Sequence, residues 1–310
     1  MTSRLIFTGN VIVDLVMEID HLPEPGGDII AASSTLTAGG GYNVIVAAQR
    51  DGMPVVFAGQ YGSGPFGDVV RAALRASGVE VVQSGLETMD SGFTVALVDA
   101  TTERTFVTSV GAEGQLDRDH LDRVDVTGDD LVYVSGYSLA HPVTAAALPG
   151  WLEALPAETR VLLDPSPVIA ELDRQLLERV LARTDILSLN ARESALATGT
   201  DDPAESVRAL APRIRAAGLV LVRTGADGCW LLGGRITEPT LVPGFAVEAV
   251  DTNGAGDAHD GVFVAALARG ERALAAARRA NAAAALAVQR RGPATAPTSA
   301  EIDAFLDSRA

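Results

Sequence analysis

Asp251-Thr252-Asn253-Gly254-Ala255-Gly256-Asp257-Ala258 is the stretch on which the reading of this chain turns. The residues before it, Ala246–Val250, read as a strand, and those after it, Asp257–Arg269, as an apolar helix closed by Gly270 as its cap. Between them lies a loop of small residues. Gly254, Ala255 and Gly256 can bring backbone N–H groups close to an anion at the positive end of the helix. Such a nest stabilises charge on a phosphoryl group in transfer. Asp257 falls in the first helical turn, where a carboxylate can take a proton from an incoming hydroxyl. The same residues also fit a plain helix start, with glycines for close packing and an Asp as cap.

Working outward, short apolar runs alternate with amphipathic stretches. Leu5–Phe7, Val55–Ala58, Leu131–Val134, Val161–Leu163, Ile186–Leu189 and Leu219–Val222 read as strands; Asp68–Ser77, Gln175–Arg183 and Glu205–Ala217 read as helices. That rhythm predicts βαβ units and a parallel sheet. Two stretches break it, about 11–37 and 91–108, the second with a turn at Thr101–Glu103. They read as hairpins of a small sheet outside the main layer. The last third reads as helix: Ala273–Arg290, then a segment opened by the capping box Thr298-x-x-Glu301.

The chain has 310 residues and a net charge of −16, which argues against nucleic acid as a partner. It leaves room for a nucleotide, which needs only a few local donors. The single cysteine, Cys229, lies in an apolar run and reads as a buried thiol; with no disulfide framework, the expected home is the cytoplasm. No run of 18 apolar residues occurs and the start lacks a secretory leader, so no membrane association is expected.

Asp-Thr-x-Gly-Ala-Gly-Asp-Ala resembles the C-terminal signature of the ribokinase-like (PfkB) carbohydrate kinases, and other segments resemble that family in the same order. They are Gly9-Asn10-Val11-Ile12-Val13-Asp14, Gly39-Gly40-Gly41-Tyr42-Asn43, Asn190-Ala191-Arg192-Glu193 and Arg223-Thr224-Gly225-Ala226-Asp227-Gly228, followed by Ala280-Asn281. The resemblance spans essentially the whole chain. It implies a single three-layer α/β/α domain over 1–310, with a mostly parallel central sheet and a small β lid. It implies ATP-dependent phosphorylation of a sugar or sugar-like alcohol, with Asp257 as base and Gly254–Gly256 as anion hole.

By the same resemblance, Asp14, Gly39, Gly40, Asn43, Tyr137 and Asp257 would bind the sugar. Asn190, Arg223, Thr224, Gly225, Ala226, Asp227, Gly228, Gly256 and Asn281 would bind ATP. Asn190 and Glu193 would order Mg²⁺, largely through water; read locally, the same pair is a helix cap. Asp251 and the carbonyls of Asn253, Ala287, Arg290 and Gly292 match a K⁺ site, although Ala296 stands where a hydroxyl is often found. The chain departs from ribokinase where Tyr137 replaces an acidic residue, Ser166 an Asn and His259 a Phe, so ribose is not implied. Lids of this kind sometimes pair, which implies a possible homodimer.

Competing readings are a nucleoside kinase of the same fold, or a sugar-binding regulator without turnover. Gly62-Ser63-Gly64-Pro65-Phe66-Gly67 satisfies the dinucleotide pattern, but Pro65 removes an N–H from a loop whose value is its N–H groups. No G-x-x-x-x-G-K-[ST] occurs, and His21, His120, His141 and His259 lack zinc-ligand spacing.

Overall fold

The computed structural model describes residues 3–101 and 103–309. Strand β1 (Leu5–Phe7) opens the body, and the chain then leaves it for a second sheet through β2 (Val11–Glu18) and β3 (Ser33–Gly40). Helix α1 (Tyr42–Arg50), β4 (Val55–Phe57), α2 (Pro65–Ala76) and β5 (Glu80–Val81) return to the body; β6 (Phe93–Val98) and β7 (Arg104–Ser109) complete the second sheet. From there the body alternates: α3 (Arg118–Leu121), β8 (Leu131–Ser135), α4 (Gly136–Ala140), α5 (Pro142–Ala154), β9 (Arg160–Asp164), α6 (Arg174–Leu181), β10 (Ile186–Asn190), α7 (Ala191–Thr198), α8 (Pro203–Leu210), β11 (Leu219–Arg223). Two antiparallel strands, β12 (Gly228–Gly233) and β13 (Ile236–Pro243), precede the closing helices α9 (Ala255–Ala268), α10 (Ala273–Ala287) and α11 (Ser299–Asp307).

The main sheet has nine strands in the order β13-β12-β11-β10-β9-β8-β1-β4-β5, parallel apart from the β11–β12–β13 meander. Helices cover both faces, and β1 shows how. Leu5 and Phe7 enter the core shared with α1, α9 and α10, whereas Ile6 enters the one shared with α5 and α6. The chain winds one way from β1 to β5 and the other way from β8 to β13. Its switch point is therefore at β1 and β8, where the carboxyl ends of parallel strands open a crevice.

The small sheet has the order β3-β2-β6-β7. Its registers align Thr37, Asp14, Thr94 and Thr108 in one row across all four strands, so they share a face. The next row, Leu36–Leu15–Val95–Val107, lies on the opposite face. The sheet thus runs on past the two stretches singled out in the sequence, to Gly40 beyond the first and to the next residue, Ser109, beyond the second. Thr102, in the expected turn, lies outside the described residues.

Three expectations differ from the fold. Ala246–Val250 is not a strand; it joins no sheet ladder, its Val250 N–H bonding to the Val288 carbonyl (2.7 Å), and Ala246, Val247 and Ala249 form part of a cavity wall. The helix expected to reach Ala217 stops at Leu210, two residues before Pro212. The helix expected to reach Arg290 ends at Ala287, and Val288 caps it.

One ion-pair cluster fixes the two helices that carry the site. Buried Asp51, capping α1, meets Arg269 at the end of α9 (2.8 Å) and Arg279 of α10 (2.5 Å). Removing the carboxylate leaves the buried Arg279 with one remaining acid, Asp303, and the neutral Ser299. Asp51→Ala is expected to destabilise the fold by about 3 kcal/mol, the scale for breaking a buried pair. Urea unfolding of both proteins checks this.

Candidate active site

Helix α9 begins with Gly254 in the left-handed region (φ +73°), a conformation that costs glycine nothing. Its first helical bond runs from the Ala258 N–H to the Gly254 carbonyl (2.8 Å). Among the described residues, no protein acceptor takes the N–H groups of Gly254, Gly256 and Asp257. They remain available to an anion. Ala255 differs from the sequence reading: its N–H turns back to the Thr252 carbonyl (3.3 Å).

Asp257 stands in this first turn and accepts a hydrogen bond from Asn43 Nδ2 (2.9 Å). The Asn43 amide oxygen takes the N–H of Ala294 (2.7 Å), so the side chain is pinned at both ends. Burial is the main cause that pushes Asp257 up to about 6; Asn43 pulls it down and Asp260 pushes it further up. It is thus a carboxylate at neutral pH, yet a stronger base than an exposed aspartate. Asp14 reaches over from β2 and is also raised to about 6, by burial first and then by the charge of Asp257. Gly39 leaves room for it: a Cβ there would fall 2.0 Å from Asp14 Oδ2. Beside Asp14 in register, the Thr37 hydroxyl is buried without a protein partner. Gly40 takes a positive φ (+58°) at the end of β3, and Tyr137 is half-exposed on α4.

Beneath Asp257, the side chain of Arg223 is surrounded by carboxylates. It pairs with Asp164 (3.1 Å) and Asp260 (2.7 Å), approaches Glu193 (3.8 Å), and donates to the Gly256 carbonyl (3.3 Å). Asp260 Oδ2 is close enough for charge attraction but not aligned for a hydrogen bond. Burial raises Asp164 and Glu193 against the pull of Arg223. For Asp260 the balance reverses: burial is outweighed by Arg223, His259 and Ser188, and its pKa falls. One guanidinium faces three buried acids, with Asp257 nearby, which leaves an excess of negative charge.

That excess is the observation relevant to Mg²⁺. Asn190 and Glu193 form the expected capping box: Glu193 accepts from the Asn190 N–H (2.8 Å) and Nδ2 (2.7 Å). Among the described residues, no three His, Cys, Asp or Glu side chains converge to hold a metal directly. The donor set suits a hydrated ion carried on phosphates.

A cavity of about 530 Å³ opens on the other side of Arg223. Asn190, Arg223, Gly225, Ala226, Gly228, Gly256 and Asn281 line it as the sequence reading expects, and Phe245, Val247, Ala284 and Val288 add an apolar wall. Thr224 and Asp227 do not line it. Thr224 closes the turn onto the Gly228 carbonyl (3.0 Å), and Asp227 is exposed. The Asn281 amide group is anchored to the carbonyls of Val242 (3.0 Å) and Pro243 (3.1 Å), and its oxygen faces His259 Nε2 (3.2 Å).

The chain matches the model for the pfkB family carbohydrate kinases over residues 3–300. It belongs to that family. The uncharacterized sugar kinase YegV of Escherichia coli K12 is 31% identical over 97% of this chain and 94% of its own. An ATP-dependent ribose-1-phosphate kinase of Halopiger xanaduensis is 32% identical over 99% of each. A protein of Escherichia coli assigned as ribokinase II, solved with ATP and Mg²⁺, superposes with a TM-score of 0.82 at 26% identity, covering 99% of both chains. The chain is thus a carbohydrate kinase on the ribokinase fold, and no helix among the described residues is long and apolar enough to cross a membrane.

The dinucleotide-like Gly62–Gly67 loop has another use in this kinase. The N–H groups of Phe66 (3.1 Å) and Gly67 (2.7 Å) are taken by Asp90, so the helix start is already capped. Cys229 is fully buried, and burial pushes its thiol up to about 12.

Five positions matched a K⁺ site. Asp251 is indeed near Asn253 and Gly292, but its Oδ1 accepts from the Asn253 N–H (2.8 Å) and Arg104 Nη2 (2.7 Å), and its Oδ2 from the Gly292 N–H (3.1 Å). The Ala287 carbonyl takes the Arg290 N–H (3.0 Å) and the Thr295 hydroxyl (3.3 Å). Two of the five positions, the Asp251 carboxylate and the Ala287 carbonyl, are thus already engaged by protein donors. Sequence reasoning did not reach Arg104, Thr37 or the role of Asp164, although an acid at the carboxyl end of a parallel strand is a signal it could have used.

Because Asn43 holds Asp257 in its charged form, Asn43→Ala is expected to move the acid limb of kcat/KM to higher pH. In the wild type that limb should rise through pH about 6 as the carboxylates lose their protons. A pH profile of both enzymes over pH 5–8 checks it, and coincident limbs would count against the contact.

Proposed function

We propose that this kinase moves the γ-phosphoryl group of ATP to a hydroxyl of a neutral sugar or sugar-like alcohol, with Asp257 as the base. The observation that carries the reading is the raised, Asn43-held carboxylate of Asp257 beside unclaimed amides at the mouth of α9. The 530 Å³ cavity, apolar on one wall, takes the nucleotide. Its γ-phosphate meets the N–H groups of Gly254 and Gly256, which stabilise the charge of the transferring group. Asp14, Gly39, Gly40 and Asn43 hold the sugar, Thr37 supplies a further hydroxyl, and Tyr137 stands at the mouth. Asp257 takes the proton of the attacking hydroxyl as the oxygen bonds to phosphorus and ADP leaves.

Glu193 and Asn190 would hold a hydrated Mg²⁺, which would supply neutralisation of phosphate charge. Arg223, restrained by three acids, keeps that acidic wall from repelling the nucleotide outright. A neutral acceptor suits a sugar side whose charged groups are the carboxylates Asp14 and Asp257. The four-stranded sheet closes over the sugar and excludes water as a competing acceptor. A cytoplasmic home agrees with a nucleotide substrate and a buried free thiol.

We further infer that two lids pair. The row Leu36–Leu15–Val95–Val107 lies on the face opposite Asp14, with Leu36 46% and Val107 63% exposed, and β7 is an unprotected edge. Light scattering is expected to give a dimer, and Val107→Glu a monomer.

The phosphotransfer reading is tested by ADP release over neutral pentoses, hexoses, nucleosides, sugar acids and ribose 1-phosphate. Turnover is expected with a neutral sugar, and Asp257→Asn should lower kcat by roughly 10²–10⁴. Wild-type turnover in that variant would refute the base; silence across the panel would favour a sugar-binding regulator.

A further inference from the structure

Arg104 opens β7, on the small sheet, yet its guanidinium reaches the body and pairs with Asp251 at 2.7 Å. The contact is sheltered: the two side chains are 25% and 9% exposed. The strand is aimed by its own turn. Asp99 accepts the N–H of Thr101 (2.8 Å) and of Glu103 (3.1 Å), and Val98 pairs with Arg104 in the ladder. Asp251 is the root of the Gly254–Asp257 turn, and its carboxylate also fastens the Asn253 and Gly292 amides. A sheltered carboxylate needs a counter-charge more than an exposed one does. Here the chain provides it from a strand of the lid, and the neighbouring Ala287 carbonyl is occupied by internal donors.

We propose that Arg104 is the resident cation of the Asp251 carboxylate, a positioning residue that lets phosphoryl transfer proceed without a monovalent metal ion. The proposal rests on the phosphotransfer reading and adds a consequence to it. The charge arrives with the lid, so the turn beneath the γ-phosphate is braced when the small sheet is seated. An isolated K⁺ would brace the turn regardless of the lid.

The test compares wild type, Arg104→Ala and Arg104→Lys in buffers whose monovalent cation is either K⁺ or tetramethylammonium at equal ionic strength. ADP release and thermal unfolding are both measured. The wild type is expected to show the same turnover and the same melting midpoint in both salts. Arg104→Ala is expected to lose roughly 10- to 100-fold in kcat in tetramethylammonium, the worth of one charge-assisted hydrogen bond. It should recover part of that loss in K⁺ and melt higher in K⁺. Arg104→Lys should remain indifferent to K⁺. A wild type activated or stabilised by K⁺, or an Arg104→Ala variant with wild-type turnover in tetramethylammonium, would overturn the proposal. A wild type that releases no ADP with any acceptor would defeat the phosphotransfer reading instead; the melting comparison would still decide what balances Asp251.

Discussion

The hydrogen bond from Asn43 to Asp257 joins two helices that are 214 residues apart in sequence, and the rest of the site is arranged around it. Helix α1 follows β3 of the small sheet directly, so Asn43 sits where the chain re-enters the body. Helix α9 carries the carboxylate at its positive end, where unpaired amides favour negative charge. Burial opposes that charge, and the amide of Asn43 supports it. The result is a carboxylate basic enough to take a proton and still ionised at neutral pH. The Asp51 cluster at the far end of α1 keeps the two helices from sliding.

Charge is distributed by the same logic. A kinase of net charge −16 has to accommodate a polyanion against its own overall charge. In the proposed reaction that task falls to backbone amides at a helix start and to one arginine held among three acids. Arg223 cannot be replaced by an ordinary lysine without losing the fork that reaches Asp164, Asp260 and the Gly256 carbonyl together. Arg104 plays a corresponding part at Asp251, outside the reaction centre.

Much of this was legible in the sequence, and the residues explain why. The parallel strands are short apolar runs buried on both faces, a pattern that survives any tertiary context. The Gly254–Asp257 turn could be read because a helix start, small residues and an acid each leave a mark. The capping box of Asn190 and Glu193 formed as its spacing required. What stayed hidden depends on distant partners. Nothing in Arg104-Thr105 announces a bond to residue 251, and nothing in Asp164 announces Arg223. Ala246–Val250 reads as a strand because its composition is apolar, but its apolar side chains face a cavity, not a neighbouring strand. Thr224 and Asp227 sit in a motif, yet only their neighbours face the cavity.

The central claim is that the start of α9 holds the γ-phosphate while Asp257 meets the acceptor hydroxyl. A crystal structure with the accepted sugar and a non-hydrolysable ATP analogue tests it most directly. The account predicts γ-phosphate oxygens on the N–H groups of Gly254 and Gly256, and a sugar hydroxyl within about 2.6–3.2 Å of the Asp257 carboxylate. A triphosphate lying away from that turn, or an acceptor hydroxyl with Asp257 out of reach, would contradict it.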